Sequence, residues 1–156
     1  SLALWMLKSA RSHHERERQP NIIQTASEFF KNITRSRYTG LRIPAGESKV
    51  LAVTAEGEVK QADQLSRGTR EQMYLALKLG AIQENGQQNA PLPVIVDDAL
   101  VNSDPGRARA AAEGIAKLGA TNQVLVFTCH PGLVGQFQKA CPEAEVQKLG
   151  AAGAAG

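Results

Sequence analysis

The stretch LPVIVDDALVNSDPGRARAAAEGIAKLGATNQVLVFTCH, residues 92–130, decides the fold. It contains two short, solidly apolar runs, VIV and VLVF, with a helical segment between them. Asp104 is the expected helix N-cap, Pro105 suits the first helical position, and Gly119 stands just past the last. Strands that are apolar without alternation are typical of a sheet buried on both faces. A strand, a helix and a second such strand therefore predict a right-handed βαβ unit in a parallel sheet.

Upstream of this unit, the sequence predicts a helix and then a small antiparallel meander. In IIQTASEFFKNIT, residues 22–34, the apolar side chains recur at helical spacing and form one stripe that should pack against the domain. Gly40 is expected to end this segment. The runs LRI, KVLAVTA and EVKQA then show the alternation or β-branching of short strands, with AEG as a turn.

Two more helices are predicted around the βαβ unit. The first spans about residues 69–83, and the polar segment QENGQQNAP after it is predicted to be a loop. Its expected buried face consists of Met73, Ala76, Leu77 and Ala81. The second spans about residues 132–140, and a further strand is predicted at residues 144–149. The predicted fold class is α/β, with parallel strands, flanking helices and the small meander.

Composition limits the broad class of the protein. Its 156 residues are 42% hydrophobic and 21% charged, which is ordinary for one soluble globular domain. Residues 2–18 indicate a helix that Pro20 interrupts. No apolar run approaches the roughly 20 residues of a membrane span, so no membrane partner is expected. Cys129 and Cys141 fit no metal-ligand spacing and are expected to be reduced thiols of a cytoplasmic protein, with a disulfide as the less favoured alternative. Cys129 stands beside His130, but its side chain is expected to point into the sheet rather than to act as a nucleophile.

Candidate functional side chains follow both strands of the βαβ unit. Asp97 and Asp98 end the first strand, and His130 follows the second. Because function in an open parallel sheet lies beyond the carboxyl ends of the strands, these side chains are expected to form one site. One carboxylate can hold Mg²⁺, a second can orient or deprotonate a water molecule, and a histidine can reach a terminal phosphate. A helix cap or loop for the acids and a structural role for the histidine are the alternatives.

The segment LSRGT, residues 65–69, stands at the start of the predicted long helix and suits the same chemistry. A helix N-terminus offers unpaired N–H groups and about half a positive charge. Ser66 adds a hydroxyl, and Gly68 admits a close approach of the backbone to a ligand. Simple helix capping explains the segment equally well, because Thr69 and Gln72 have the spacing of a capping box.

Four segments, in this order, resemble the motifs of ABC-type ATPases. LSRGTREQ resembles the signature motif, LPVIVDD the Walker B strand, ALVNSD the D-loop, and VLVFTCH the strand that ends in the switch histidine. Within that superfamily the chain is most similar to the SMC/SbcC/RecF group, and among these to the YhaN-like AAA-family ATPases of bacteria. The resemblance implies that residues 20–149 are the C-terminal lobe of a P-loop ATPase head. The resemblance also implies that residues 1–19 are the end of a coiled-coil helix. Residues 150–156 are expected to be a disordered tail or a cloning remnant.

The resemblance also implies a role for each site residue. The nucleotide-binding residues would be Ser66, Arg67, Gly68, Thr69 and Asp104. Asp97 would support Mg²⁺, Asp98 would be catalytic, and His130 would be the catalytic switch histidine. Asp98 stands where the family usually has glutamate and is one methylene shorter, which leaves its part as a general base open.

A G-x-x-x-x-G-K-[ST] phosphate-binding loop is absent from the sequence, which contains no Gly-Lys dipeptide. The resemblance places that loop in an N-terminal lobe, beyond a long coiled coil. The implied function is binding and hydrolysis of ATP with Mg²⁺ in a dimer of heads, in DNA repair or chromosome maintenance. The implied partners are the Walker A lobe, a second head, DNA and a nuclease subunit. This chain alone is expected to be inactive.

Two other functions fit part of the sequence. A nucleotide-binding subunit of an ABC transporter would share the motifs, although transporters usually carry Gly and Gln where Arg67 and Thr69 stand. A non-enzymatic dimerisation module would use the same surfaces without turnover.

The basic residues of the N-terminal region are candidates for contact with nucleic acid. Residues 1–42 hold eight Lys/Arg against three Asp/Glu. Arg35, Arg37 and Tyr38 could contact a DNA backbone, but roles in loop structure and packing are favoured for them.

Overall fold

The computed structural model describes residues 21–44, 46–98, 100 and 103–150. The expected coiled-coil end, residues 1–19, and most of the expected tail, residues 150–156, lie outside the described residues. In the part of the chain that the structure describes, no helix combines the length and the apolarity that crossing a bilayer requires.

The elements follow one another in the predicted order. Residues 21–33 form helix α1. An antiparallel sheet of three strands comes next, with β1 (Tyr38–Arg42), β2 (Leu51–Thr54) and β3 (Val59–Lys60) in that spatial order. After a 3₁₀ turn at Ala62–Gln64 come α2 (Arg67–Gln88), β4 (Val94–Asp97), α3 (Pro105–Leu118), β5 (Val124–Phe127) and α4 (Pro131–Ala140). The α/β class, the meander and the βαβ unit are thus confirmed.

Strands β4 and β5 pair in parallel, from Val94 opposite Val124 to Asp97 opposite Phe127. Helix α3 connects them, and it begins and ends as the sequence predicts. The Asp104 carboxylate accepts hydrogen bonds from the first backbone N–H groups of the helix, Pro105 is its first residue, and Gly119 is its C-cap. This helix returns the chain so that the ends of the two strands lie at one edge of the sheet.

The hydrophobic core lies where α1, α2 and α3 meet. Its largest fully buried side chains are Phe30, Ile33, Met73, Ile115 and Leu118. The predicted stripe of α1 is largely buried, because Ala26, Phe29, Phe30 and Ile33 are all in this core. Helix α3 adds several buried alanines, whose short side chains let neighbouring elements approach closely.

Helix α2 is longer than the sequence predicts. It runs from Arg67 to Gln88, so most of the segment predicted to be a loop is helical. A Cβ at Gly86 would lie 3.1 Å from Asn122 Oδ1, so this glycine makes room for a neighbouring side chain instead of ending the helix. Met73 and Ala76 are buried as expected, whereas Ala81 is exposed.

Two further predictions about local structure are wrong. Gly40 lies inside β1 rather than at the end of a segment, because the strand packs on α1 there. A Cβ at Gly40 would lie 3.1 Å from the Ser27 Cβ, and the Ser27 hydroxyl accepts the Leu41 N–H at 2.8 Å. Residues 144–149 form no regular element.

Helices α1 and α2 approach most closely at Gly80. A Cβ at this position would lie 2.8 Å from the Ala26 backbone nitrogen and 2.9 Å from the Ile22 carbonyl oxygen. Both of these atoms belong to the backbone, so a side chain could enter only by moving one helix away from the other.

Replacing Gly80 and Gly135 by alanine is expected to change stability in opposite directions. Gly80→Ala should lower the free energy of unfolding by about 1–3 kcal/mol, because it forces the helices apart. Gly135 lies in helix α4 with open space beside it, so Gly135→Ala should raise that free energy by up to about 1 kcal/mol through helix propensity. Urea unfolding followed by circular dichroism measures both, and equal effects would contradict the close approach at Gly80.

Candidate functional site

The parallel pairing of β4 and β5 brings the residues after both strands together. The Asp98 N–H donates to the Phe127 carbonyl oxygen at 3.0 Å, which extends the pairing beyond β4. His130 is the N-cap residue of α4, and its N–H donates to the Thr128 hydroxyl at 3.1 Å. As a result, one ligand atom from each of Asp98, Cys129 and His130 lies within 4.8 Å of the other two. The structure thus places Asp98 and His130 side by side.

Asp98 has an unusual backbone conformation for a residue other than glycine. Its φ is 43°, in the left-handed region that aspartate tolerates better than most residues. A strand cannot continue through this conformation, so β4 ends at Asp97. The carboxylates of Asp97 and Asp98 are both exposed, which leaves them accessible to a cation or to water.

Cys129 is the site residue that sequence reasoning missed. The sequence suggests a thiol that points into the sheet, but Cys129 is exposed, and its Sγ lies 3.9 Å from Asp98 Oδ2. The physical reason is that β5 ends at Phe127, so the alternation of strand side chains does not reach residue 129. Its position beside His130, past the last residue of the apolar run, was the signal that could have identified it. Both Cys129 and Cys141 are free thiols in the structure.

A second group of candidate residues lies at the start of helix α2. Ser66 is the N-cap, and its exposed hydroxyl accepts the Thr69 N–H at 3.2 Å. The alternative of a capping box at Thr69 and Gln72 is wrong, because the helix begins two residues earlier than predicted. The Gln72 amide is instead buried and donates to the Ile33 carbonyl oxygen at 3.3 Å. Arg67 points outward and pairs with Glu71 at 3.0 Å.

The start of helix α3 lies beside the start of helix α2. Asp104 accepts the Gly106 and Arg107 N–H groups, each at 3.1 Å, and pairs with the Arg107 guanidinium at 2.8 Å. That guanidinium occupies the space in which a Cβ at Gly68 would stand. The lack of a Cβ at Gly68 therefore makes room for the Arg107 guanidinium, and any ligand at the helix tip would lie beside that side chain.

A cleft of 720 Å³ runs along these two helices. Arg67, Gly68, Arg107 and Ser103 line the end of the cleft at the helix starts, and Lys78 lies further along α2. Glu71 also lines the cleft, and both arginines are paired with carboxylates, Arg67 with Glu71 and Arg107 with Asp104. Among the described residues, Lys78 is therefore the lining cation that has no ion pair.

The candidate residues thus form two groups rather than one. Asp97, Asp98 and His130 lie at the ends of β4 and β5, whereas Ser66–Thr69 and Asp104 lie at the helix starts. Among the described residues, no hydrogen bond or ion pair connects the two groups. The chain passes from one to the other through residues 99–103, of which only Leu100 and Ser103 are described.

Of the three candidates for DNA contact, two have a packing role. Tyr38 is buried, and its ring centroid lies 5.1 Å from that of Phe30. The Arg35 guanidinium lies against Gly106 at the start of α3, and Arg35 itself has a positive φ of 53°. Arg37 is exposed.

Comparison with known proteins relates this chain to SMC head domains. A structure from work on ATP-driven dimerization and DNA-stimulated activation of SMC ATPases has a TM-score of 0.61 and 19% identity, over 75% of this chain and 72% of that one. The Smc head domain with a coiled coil and joint from Pyrococcus yayanosii has a TM-score of 0.63 and 16% identity, over 84% of this chain and 26% of that one. The chain therefore has the fold of SMC head domains.

The curated relatives of the chain are uncharacterised proteins. Protein YhaN of Bacillus subtilis is 28% identical over 133 residues, which are 85% of this chain and 14% of YhaN. Protein Mb1309 of Mycobacterium bovis is 37% identical over 71 residues, which are 46% of this chain and 8% of that protein. The chain thus spans only a small part of these relatives. No family model matches it.

The cap at Ser66 predicts a stability difference between two substitutions. Ser66→Ala should lower the free energy of unfolding by about 1 kcal/mol, because the Thr69 N–H loses its acceptor. Ser66→Asn should change it by no more than a few tenths of a kcal/mol, because asparagine is an equally good N-cap. Urea unfolding measures both. The assignment of the cap fails if the alanine variant is as stable as the asparagine variant.

Proposed function

We propose that this chain is the C-terminal lobe of an ATPase head that binds and hydrolyses ATP with Mg²⁺ in a dimer of two heads. The observation that carries the proposal is the placement of Asp98 and His130 at adjacent ends of two parallel strands, while a capped helix tip lies in a separate group. The fold of SMC heads and the order of the four motifs support it.

The residues at the strand ends suit the chemistry of the γ-phosphate. Asp97 and Asp98 are exposed, and among the described residues neither has an ion-pair partner. Free carboxylate oxygens are the donors that Mg²⁺ prefers, and the ion would neutralise phosphate charge when bound. We assign Asp97 to the support of Mg²⁺ and Asp98 to the orientation of the attacking water. His130 would donate to the terminal phosphate from the neighbouring strand.

The sheet of β4 and β5 suggests that further polypeptide completes the head. Parallel sheets are normally covered on both faces, and a pair of strands alone is marginal. Here the outer face is largely open, since Ile95 is 67%, Leu125 41% and Phe127 44% exposed. We propose that an N-terminal lobe with the Walker A loop covers this face and holds the adenine nucleotide.

The helix starts suit contact with a second head. Ser66, Arg67 and Gly68 would close over the γ-phosphate held by that head, and Asp104 would lie at the same contact. Thr69, which is 2% exposed, would act through its hydroxyl, which lies 2.8 Å from Ser66 Oγ. ATP then favours the closed dimer because it contacts both heads only in that state. We place this cycle in DNA repair or chromosome maintenance, in the cytoplasm, with DNA and a nuclease subunit as further partners. The structural relative from work on DNA-stimulated activation of SMC ATPases supports DNA as a partner.

Substitution of Asp98 tests the catalytic assignment. In protein that contains both lobes, Asp98→Asn should lower the rate of ATP hydrolysis about 100-fold or more, because the water loses its carboxylate. Binding of ATP should persist. Asp63→Asn is the matched control, since this exposed aspartate lies in the 3₁₀ turn away from the strand ends.

The rate of phosphate release from ATP measures the effect of the substitution. The 156-residue chain alone is expected to show no ATP hydrolysis and no tight ATP binding in calorimetry. Full turnover by Asp98→Asn would contradict the role of Asp98. A dimer without any ATPase activity would favour the dimerisation module instead.

Substitution of Ser66 tests the contact between heads. In an Asp98→Asn background that retains ATP, Ser66→Asp should prevent dimer formation, because its charge repels the γ-phosphate of the other head. In Ser66→Asn the new side chain is nearly identical in shape to aspartate, keeps the helix cap and carries no charge. This variant should therefore dimerise several-fold more readily than Ser66→Asp. Sedimentation velocity with and without ATP measures dimerisation, while ATP affinity of the monomer should be equal in both variants. Equal dimerisation of the two variants would exclude Ser66 from the interface.

A further inference from the structure

We propose that Asp98, Cys129 and His130 form a binding site for a transition-metal cation of the zinc class. The thiol of Cys129 has no part in the chemistry of Mg²⁺ and ATP, yet it faces the Asp98 carboxylate. The proposed metal site therefore uses a different donor set from the proposed ATP site, although Asp98 and His130 belong to both.

The distances fit one ion held by all three side chains. With metal–sulfur and metal–oxygen bonds of about 2.3 and 2.1 Å, a tetrahedral site separates the two ligand atoms by about 3.6 Å. Cys129 Sγ and Asp98 Oδ2 are 3.9 Å apart, and the three ligand atoms all lie within 4.8 Å of one another. Rotations of the exposed side chains that move a ligand atom by up to about 1.4 Å reach the bonding geometry.

The donor set selects the class of cation. A thiolate, an imidazole and a carboxylate together suit Zn²⁺ or Co²⁺, whereas Mg²⁺ and Ca²⁺ prefer oxygen donors alone. On binding, the Cys129 thiol loses its proton to solvent and becomes the thiolate ligand. Three protein ligands leave the fourth tetrahedral position for water, as the exposure of all three residues allows.

Hydrogen bonds fix the backbone of Asp98 and His130 before any ion arrives. The Asp98 N–H is bonded to the Phe127 carbonyl oxygen, and the His130 N–H is bonded to the Thr128 hydroxyl. Cys129 lies between Thr128 and His130, directly after β5. A metal ion therefore links the end of β4 to the end of β5 without rearranging either strand.

Cys141 provides an internal comparison. It is also a free thiol beside a carboxylate, with its Sγ 3.8 Å from Glu143 Oε2. Among the described residues no histidine completes a group there, so this thiol is expected to bind the cation far more weakly.

Titration with Co²⁺ tests the site without nucleotide. The 156-residue chain has three histidines, so the experiment uses a background in which His13 and His14 are replaced by alanine. One equivalent of Co²⁺ should produce the thiolate-to-cobalt charge-transfer band and the visible bands of tetrahedral cobalt. Zn²⁺ should displace the cobalt, whereas excess Mg²⁺ should not.

Single substitutions assign the ligands. Cys129→Ser should abolish the charge-transfer band, and His130→Gln and Asp98→Asn should each weaken Co²⁺ binding at least tenfold. Cys141→Ser should leave the spectrum and the affinity unchanged. Circular dichroism verifies that each variant is folded, as the exposure of these side chains leads us to expect. A band that survives Cys129→Ser, a band that disappears in Cys141→Ser, or no binding in the folded background would overturn the proposal.

The assay distinguishes this proposal from the proposed function. Co²⁺ binding needs neither ATP nor a second lobe. The chain can therefore bind Co²⁺ even if the two-lobed protein does not hydrolyse ATP, and the two-lobed protein can hydrolyse ATP even if the chain does not bind Co²⁺. If both hold, Zn²⁺ should inhibit ATP hydrolysis by the two-lobed protein and should inhibit the Cys129→Ser variant much less. That second expectation rests on the proposed function, since it assumes that Asp98 and His130 are needed for turnover.

Discussion

The hydrogen bonds between β4 and β5 are the constraint on which the candidate site depends. They run in register along both strands and continue through the Asp98 N–H to the Phe127 carbonyl oxygen. A shift by one residue would move the whole set of side chains to the other face of the sheet. This pairing brings Asp98 at one strand end close to Cys129 and His130 at the other.

Helix α3 connects this sheet to the rest of the domain. Its alanine-rich face packs into the core that α1 and α2 share, and its first turn lies beside the tip of α2. The same element therefore sets the spacing of the two strands and the position of Asp104 next to Gly68. Both groups of candidate residues owe their placement to α3, although no direct bond between the groups is present among the described residues.

Local chemistry was sufficient to predict part of this arrangement. The apolar runs around a helix with Asp104, Pro105 and Gly119 at its ends specify the βαβ unit, because each of these residues acts within its own segment. The end of α2 and the position of Gly40 could not be predicted in the same way, because they depend on contacts with Asn122 and Ser27, which are distant in sequence. The exposure of Cys129 depends on where β5 ends, and the apolar run alone does not fix that residue. The sequence predicted that Asp98 and His130 lie close together, but it did not predict the thiol of Cys129 beside them.

The arginine at the start of α3 has a mechanical consequence. Its guanidinium fills the space beside Gly68 while it holds Asp104 at 2.8 Å, so one side chain braces the first turns of two helices. Because this one side chain touches both turns, a shift of the serine tip that displaces the guanidinium would also disturb its ion pair with Asp104.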